Sequence, residues 1–171
     1  MIILMGYMGS GKTTIGQLLA HEMGYHFIDL DSLIAERESM SIPEIFDIKG
    51  EIYFRKKETE YLREQLQKDQ EIIMALGGGT PCYGHNLDLI KESGIPTVYL
   101  RASVTTLFQR LQKEKQYRPM ISHLNTDQDL MEFIGKHLFE RQNYYNKADH
   151  IIDVNQKTAS EVVSDLQQLL F

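Results

Sequence analysis

An α/β fold with a parallel sheet between layers of helices is what this sequence predicts, and three observations predict it. The apolar run Ile2 to Met5 breaks off at Gly6 and opens a glycine-rich loop. A second apolar run, Tyr25 to Leu30, follows after one helical segment, giving strand, helix and strand in succession, the pattern of a βαβ unit. Beyond it, short apolar runs at 70–76, 95–100 and 148–154 alternate with segments of helical periodicity.

The loop after the first strand, Gly6-Tyr-Met-Gly9-Ser10-Gly11-Lys12-Thr13-Thr14, fills every fixed position of the P-loop pattern. Glycines at 6, 9 and 11 let it wrap an anion with backbone N–H groups turned inward, and the following helix offers its own unpaired N–H groups to the same charge. Gly9, Ser10, Gly11 and Thr14 are therefore expected to cradle nucleotide phosphates. Lys12 is expected to reach the β- and γ-phosphates, and Thr13 to place its hydroxyl on Mg²⁺. The loop alone leaves open a nucleotide site that binds or switches without transferring phosphate to a small molecule.

The next helix is expected over 14–23, with Ile15, Leu18 and Leu19 inward and Gly24 ending it. The second strand closes on Asp29-Leu30-Asp31, where alternation in an extended chain would put both carboxylates on one side at the ligand edge. The third strand, 70–76, ends in glycines with no Asp, so the metal-side carboxylate is expected from this pair. Asp29 takes that role and Asp31 meets the acceptor; the competing reading is that one of them, Asp31 above all, caps the helix at 32–38.

Ser41, Pro43 and Glu44 mark the start of a further helix, which Gly50 interrupts before another runs through Phe54, Tyr61 and Leu66. In it Arg55 and Glu58 share a face, either as a surface ion pair or as a fork suited to a carboxylate. Gly77-Gly78-Gly79 after the third strand suggests a small substrate lying against bare peptide groups, with a tight turn as the alternative. A helix over 86–92 and a strand over 95–100 follow, with Pro96 weakening that strand's start. The helix over 103–111 carries Arg110 near its end, where the dipole alone favours a cation. Residues 113–125 are polar and proline-broken with few core anchors, which reads as a lid whose Arg118 is carried over the transferring phosphate. A long helix over 126–146 holds Arg141, by its own residues a solvated side chain. A fifth strand and a helix over 159–171 close the fold.

With 171 residues the chain suits one domain. Its net charge of −6, from 24 acidic and 18 basic residues without a basic run, argues against a nucleic-acid partner. No apolar run is long enough for a membrane span, and the start lacks a signal peptide's basic region. The single cysteine, Cys82, leaves no intrachain disulfide and fits a reducing, cytoplasmic setting; it is expected as a buried or incidental thiol. The six histidines show no metal-ligand spacing.

Taken in order, the P-loop, Asp29-Leu-Asp31, Ser41-Ile-Pro-Glu-Ile-Phe46, Gly50-Glu-Ile-Tyr-Phe-Arg-Lys-Lys-Glu58, Gly77-Gly-Gly79, Arg118-Pro119 and Arg141-Gln-Asn-Tyr-Tyr145 give a chain that resembles shikimate kinase over essentially its whole length. The resemblance implies a P-loop NTPase-type three-layer sandwich: a five-stranded parallel sheet in the order 2-3-1-4-5, flanked by helices, with a lid. It implies ATP-dependent phosphorylation of the shikimate 3-hydroxyl with Mg²⁺, by a cytoplasmic enzyme expected to be a monomer. It also implies that residues 32–62 form the substrate-binding segment. Asp29 would then reach the metal through water, while Asp31 takes the acceptor hydroxyl and serves as base. Arg55 and Arg141 would grip the shikimate carboxylate, Glu58 would support Arg55, and Gly77, Gly78 and Gly79 would line the ring. Arg118 would be the lid arginine and Arg110 would stack on adenine, while the rest of the adenine pocket, near Asn155, stays unassigned. A gluconate-type kinase on the same fold and a non-catalytic nucleotide-binding module are the competing functions.

Overall fold

The computed structural model describes residues 1–68 and 70–170. Phe171, expected as the end of the last helix, lies outside them.

Strand β1 (Ile2–Met5) is the centre of a five-stranded, all-parallel sheet in the order β2-β3-β1-β4-β5. It pairs through Ile3 with Met74 of β3 (Ile72–Ala75) and through Leu4 with Val98 of β4 (Thr97–Arg101). Both faces of a central parallel strand are covered, so β1 and β3 are unbroken apolar runs, and all eight of their residues are buried. The edge strands β2 (His26–Asp29) and β5 (His150–Asp153) bury less. Strand β4 starts two residues after the expected Ile95. Pro96 has no N–H to give the ladder, yet its carbonyl still accepts from Ile3 at 2.9 Å.

Helix α1 (Lys12–Met23) begins two residues before the expected Thr14, directly behind Gly11, whose φ of 98° turns the loop into the helix. Strand β2 is shorter than expected, and this corrects the reading of the two aspartates. Asp29 is the N-cap of α2 (Leu30–Glu38), its carboxylate accepting from the Ser32 N–H at 3.2 Å. Capping satisfies an otherwise orphaned N–H, and Leu30, fully buried, anchors the turn. Asp31 therefore sits in the first turn of a helix and not on an extended strand. The competing reading, that one of the two caps the helix, holds, and the cap is Asp29, not the favoured Asp31.

Helices α3 (Ile42–Lys49) and α4 (Glu51–Leu66) form as the Ser41–Glu44 capping box and Gly50 predict. After β3, a 3₁₀ turn (Thr80–Cys82) leads to α5 (Asn86–Glu92). Helix α6 (Val104–Glu114) runs on into the segment expected as irregular. That segment continues through a 3₁₀ turn (Lys115–Tyr117) and the short α7 (Pro119–Ser122), with Ile121 fully buried as a core anchor the polar sequence does not advertise. Helix α8 (Asp127–Tyr145) starts at a Thr126–Asp129 capping box, and α9 (Ala159–Leu170) packs against α1.

Helices α2, α3 and α4 are tied at one carboxylate. Glu38 accepts from Tyr61 at 2.8 Å, from Tyr53 at 2.6 Å and from Lys49 at 2.9 Å. Those bonds, the Tyr53 hydroxyl first, pull its pKa from 4.5 to about 2. A depressed carboxylate pKa contributes stability that is full above the unfolded value and lost as pH falls through the folded one. We expect Glu38→Gln to cost about 1–3 kcal/mol at neutral pH, since an amide turns donors toward donors. In thermal melts, the difference from the parent should narrow as pH falls from 4.5 toward 2.

Candidate active site

The carboxyl ends of β1, β2 and β3 converge on one edge of the sheet, and the chemistry-bearing side chains collect there. Lys12 donates to the Gly6 carbonyl at 2.8 Å and the Tyr7 carbonyl at 3.1 Å. Burial lowers its pKa to about 8; Asp31 and Asp29 oppose the shift, and the positive charges of Arg118 and Arg141 add to it. These five groups therefore share one electrostatic neighbourhood. Ser10, fully buried in the loop, has a hydroxyl with no hydrogen-bond partner among the described residues. A loop of this shape with an orphaned buried hydroxyl fits an anionic ligand that supplies the missing acceptor.

The Thr13 hydroxyl donates to Asp29 at 3.1 Å. Capping and metal support are thus compatible at Asp29, because Oδ1 takes the helix N–H while Oδ2 faces Thr13. A hydroxyl beside a carboxylate is the hard-oxygen pair that suits Mg²⁺ when substrate phosphates complete the shell.

Asp31 lies against the backbone of Gly77: a Cβ there would sit 2.6 Å from one carboxylate oxygen and 3.0 Å from the other. Only glycine permits that approach. Burial, then the negative charges of Asp29 and Glu58, raise the Asp31 pKa to about 6, while Lys12 and Arg55 oppose the rise. The carboxyl is thus poised just below neutrality, where a general base works best.

Glu58, 1% exposed, is a hinge between two elements: one oxygen accepts from Thr80 at 2.7 Å and the other from Arg55 at 2.9 Å. Asn86 ties in the same turn, donating to the Thr80 carbonyl at 2.9 Å and accepting from Thr59 at 2.7 Å. Arg55 lies beside Gly79 and Arg141 beside Gly78, so the two arginines flank the glycine run. The Tyr145 hydroxyl donates to the Gly78 carbonyl at 2.5 Å and lies in the field of Arg141. Arg55, open between a surface pair and a fork in the sequence, and Arg141, a solvated side chain by its own residues, are therefore both brought to the glycine run.

Arg110 donates to the carbonyls of Gly9 at 3.1 Å, Ser10 at 3.2 Å and Val154 at 3.1 Å. These bonds fix its guanidinium beside the P-loop, in a cleft of ≈390 Å³ that it shares with Thr106, Asn155 and Lys157. Asn155 accepts from the Ser103 N–H at 2.9 Å, which shapes the cleft's far wall. A more capacious groove, ≈560 Å³, runs along α4 and contains none of the predicted site residues, so volume alone does not locate the site. Arg118 is held by Glu114, through Nε at 2.8 Å and Nη2 at 2.5 Å, and reaches Lys12 only through its field. Cys82 is half-buried with its thiol pushed up to about 11 by burial, which fits the inert thiol expected.

The shikimate kinase family model matches residues 8–171. The chain belongs to the shikimate kinase family. Among curated family members, the shikimate kinase of Flavobacterium johnsoniae is 47% identical over 169 residues, 99% of this chain and 98% of its own. The crystal structure of the Bacteroides thetaiotaomicron shikimate kinase superposes with a TM-score of 0.90 at 35% identity, covering 99% of this chain and 97% of its own. The Acinetobacter baumannii shikimate kinase, solved in complex with shikimate, gives a TM-score of 0.85 at 34% identity, with 99% and 91% covered. Family membership makes this chain a kinase that uses ATP as co-substrate, and sets aside the gluconate-type kinase and the non-catalytic module. Sequence reasoning missed Thr80 and Asn86, because each acts through a neighbour that folding supplies, and missed Glu114, whose i,i+4 pairing with Arg118 the expectation of an irregular segment concealed.

Asp31 carries a stability cost that should be measurable. A carboxyl whose folded pKa is raised from 3.8 to about 6 favours the native state when protonated, and that contribution is lost as pH rises through about 6. Asp31→Asn should therefore be more stable than the parent at pH 7–8, by about 3 kcal/mol. In denaturant titrations the gain should fade as pH falls toward 4.

Proposed function

We propose that this chain transfers the γ-phosphoryl group of ATP to the 3-hydroxyl of shikimate, giving 3-phosphoshikimate and ADP, with Asp31 as the base. The observation that carries the assignment is the place of Asp31. It lies against Gly77, in the fields of both a phosphate-loop lysine and a carboxylate-matching arginine, with its pKa near 6. The hydroxyl oxygen attacks the γ-phosphorus, the bond to the ADP oxygen breaks, and the hydroxyl proton passes to Asp31.

The remaining residues divide between the two substrates. The P-loop backbone from Gly9 to Thr14 and Lys12 hold the phosphates, and Arg110 stacks on adenine in the Asn155 cleft. Thr13 and Asp29 hold Mg²⁺, which when bound offsets charge on the phosphate oxygens. Arg55, supported by Glu58, and Arg141 grip the shikimate carboxylate, and Gly77, Gly78 and Gly79 let the ring lie against the backbone. Residues 32–62 form the acceptor-binding segment, and 113–125 a lid that exchanges the Arg118–Glu114 pair for contact with the transferring phosphate. Closure also excludes water, the competing acceptor. The enzyme works as a cytoplasmic monomer, without nucleic-acid or membrane partner. No helix among the described residues is long and apolar enough to cross a membrane.

The deciding assay is ADP release from MgATP with shikimate, with gluconate and with no acceptor, the product identified by NMR. Shikimate-dependent release of 3-phosphoshikimate is expected; release indifferent to shikimate would overturn the acceptor. In the same assay kcat/KM should fall below pH 6 as Asp31 takes a proton and above pH 8 as Lys12 loses one. In kcat the basic limb should move upward, because bound phosphates hold the proton on Lys12. Arg118→Ala should lower kcat by about a hundredfold or more with little change in the KM for shikimate. A loss confined to that KM would remove Arg118 from the chemical step.

A further inference from the structure

Arg55 is held by more than its carboxylate partner. The ring of Tyr83, the residue that ends the 3₁₀ turn after the glycines, stacks on the guanidinium with its centroid 3.6 Å from Cζ. At that distance the face of the ring covers the guanidinium carbon. The Phe54 ring contacts the same group at the longer distance of 5.1 Å. Gly79 makes the arrangement possible: a Cβ there would lie 3.2 and 3.3 Å from the two terminal guanidinium nitrogens and 3.5 Å from the Tyr83 ring. The Arg55 Nε is buried with no hydrogen bond among the described residues, its nearest carboxylate oxygen, on Glu51, being 3.6 Å away. Glu58 alone would leave the guanidinium free to pivot about one bond, and the stacked ring fixes its plane.

We propose that Tyr83 is a positioning residue for acceptor binding: it locks the plane of the Arg55 guanidinium so that its remaining N–H groups meet a carboxylate as a preformed fork. This rests on the reading of Arg55 as a shikimate-carboxylate ligand. An arginine side chain loses rotamer entropy when it binds, and a ring that has already taken that freedom lowers the cost at the moment of binding. Tyr83 is also 39% exposed, so replacing it removes a planar contact without opening the core.

The test compares Tyr83→Leu, Tyr83→Phe and Arg55→Met, with shikimate and with its neutral carboxamide as acceptors. Tyr83→Leu keeps apolar bulk but not the aromatic face, and should raise the KM for shikimate about five- to tenfold. Its KM for ATP and its melting temperature should stay at the parent values, while Tyr83→Phe, which keeps the face, should restore the KM for shikimate. With the carboxamide, which offers the fork no charge, parent and Tyr83→Leu should differ by less than twofold. Equal losses on shikimate and carboxamide would mean that Tyr83 touches the ring directly, and would overturn the positioning role. If Arg55→Met raises the KM for shikimate while Tyr83→Leu does not, this inference falls and the reading of Arg55 stands. If Arg55→Met leaves shikimate binding unchanged, the carboxylate-ligand reading falls first.

Discussion

The ammonium group of Lys12 sets the terms for everything at the carboxyl edge of the sheet. It is buried, bonded to two carbonyls of its own loop, and close enough to Arg118 and Arg141 to be repelled by both. A cation under desolvation and like-charge pressure persists only if something nearby is negative. Asp29 and Asp31 supply that charge, and their own pressure appears in turn as the raised pKa of Asp31. The local charge balance is one in which cations are crowded together and partly relieved by carboxylates. An incoming polyphosphate completes the relief, so the strain of assembling the cations becomes affinity for the nucleotide. The net charge of the whole chain, −6, conceals this, because it averages a cationic pocket with an acidic surface.

The glycine run is where the acceptor side is assembled. Two of the glycines make room for a partner, Gly77 for the Asp31 carboxylate and Gly79 for Arg55 and the ring of Tyr83, while Arg141 lies at ordinary contact distance from Gly78. These partners come from α2, α4 and α8, so three helices meet at one loop. Thr80 continues the same function by donating to the buried Glu58, which places the Arg55 support in the turn that the glycines begin. Tyr145 closes the other side through the Gly78 carbonyl.

How much of this could be read in advance follows the range of each interaction. Strand β1 and the P-loop were legible because their signal is local: an apolar run, glycines at fixed spacing, and a lysine in the first turn of a helix. The Ser41–Glu44 capping box was legible for the same reason. Asp29 ends strand β2 as the sequence predicts, but alternation does not carry on to Asp31, because Leu30 starts a helix. Caps and strand ends compete at such a junction, and the burial of Leu30 decides it. Arg55 and Arg141 were illegible from their own surroundings. Their context, the glycines and a tyrosine from other elements, exists only once the sheet has brought β3 beside α4 and α8. Resemblance to a family supplied that context, and the structure gives its physical basis.

The two halves of the site are consequently held by different means. The nucleotide half is chiefly backbone: loop N–H groups, a helix terminus, and carbonyls that fix Lys12 and Arg110. Replacing a neighbouring side chain leaves those N–H and C=O groups in place, so this half depends on the glycines of the loop and on the Lys12 and Arg110 side chains that its carbonyls hold. The acceptor half is a chain of side chains in which Asn86 holds a turn, Thr80 holds Glu58, Glu58 holds Arg55 and Tyr83 fixes its plane. Every link passes its geometry to the next, so a change far from the substrate can alter acceptor binding while leaving the nucleotide site intact.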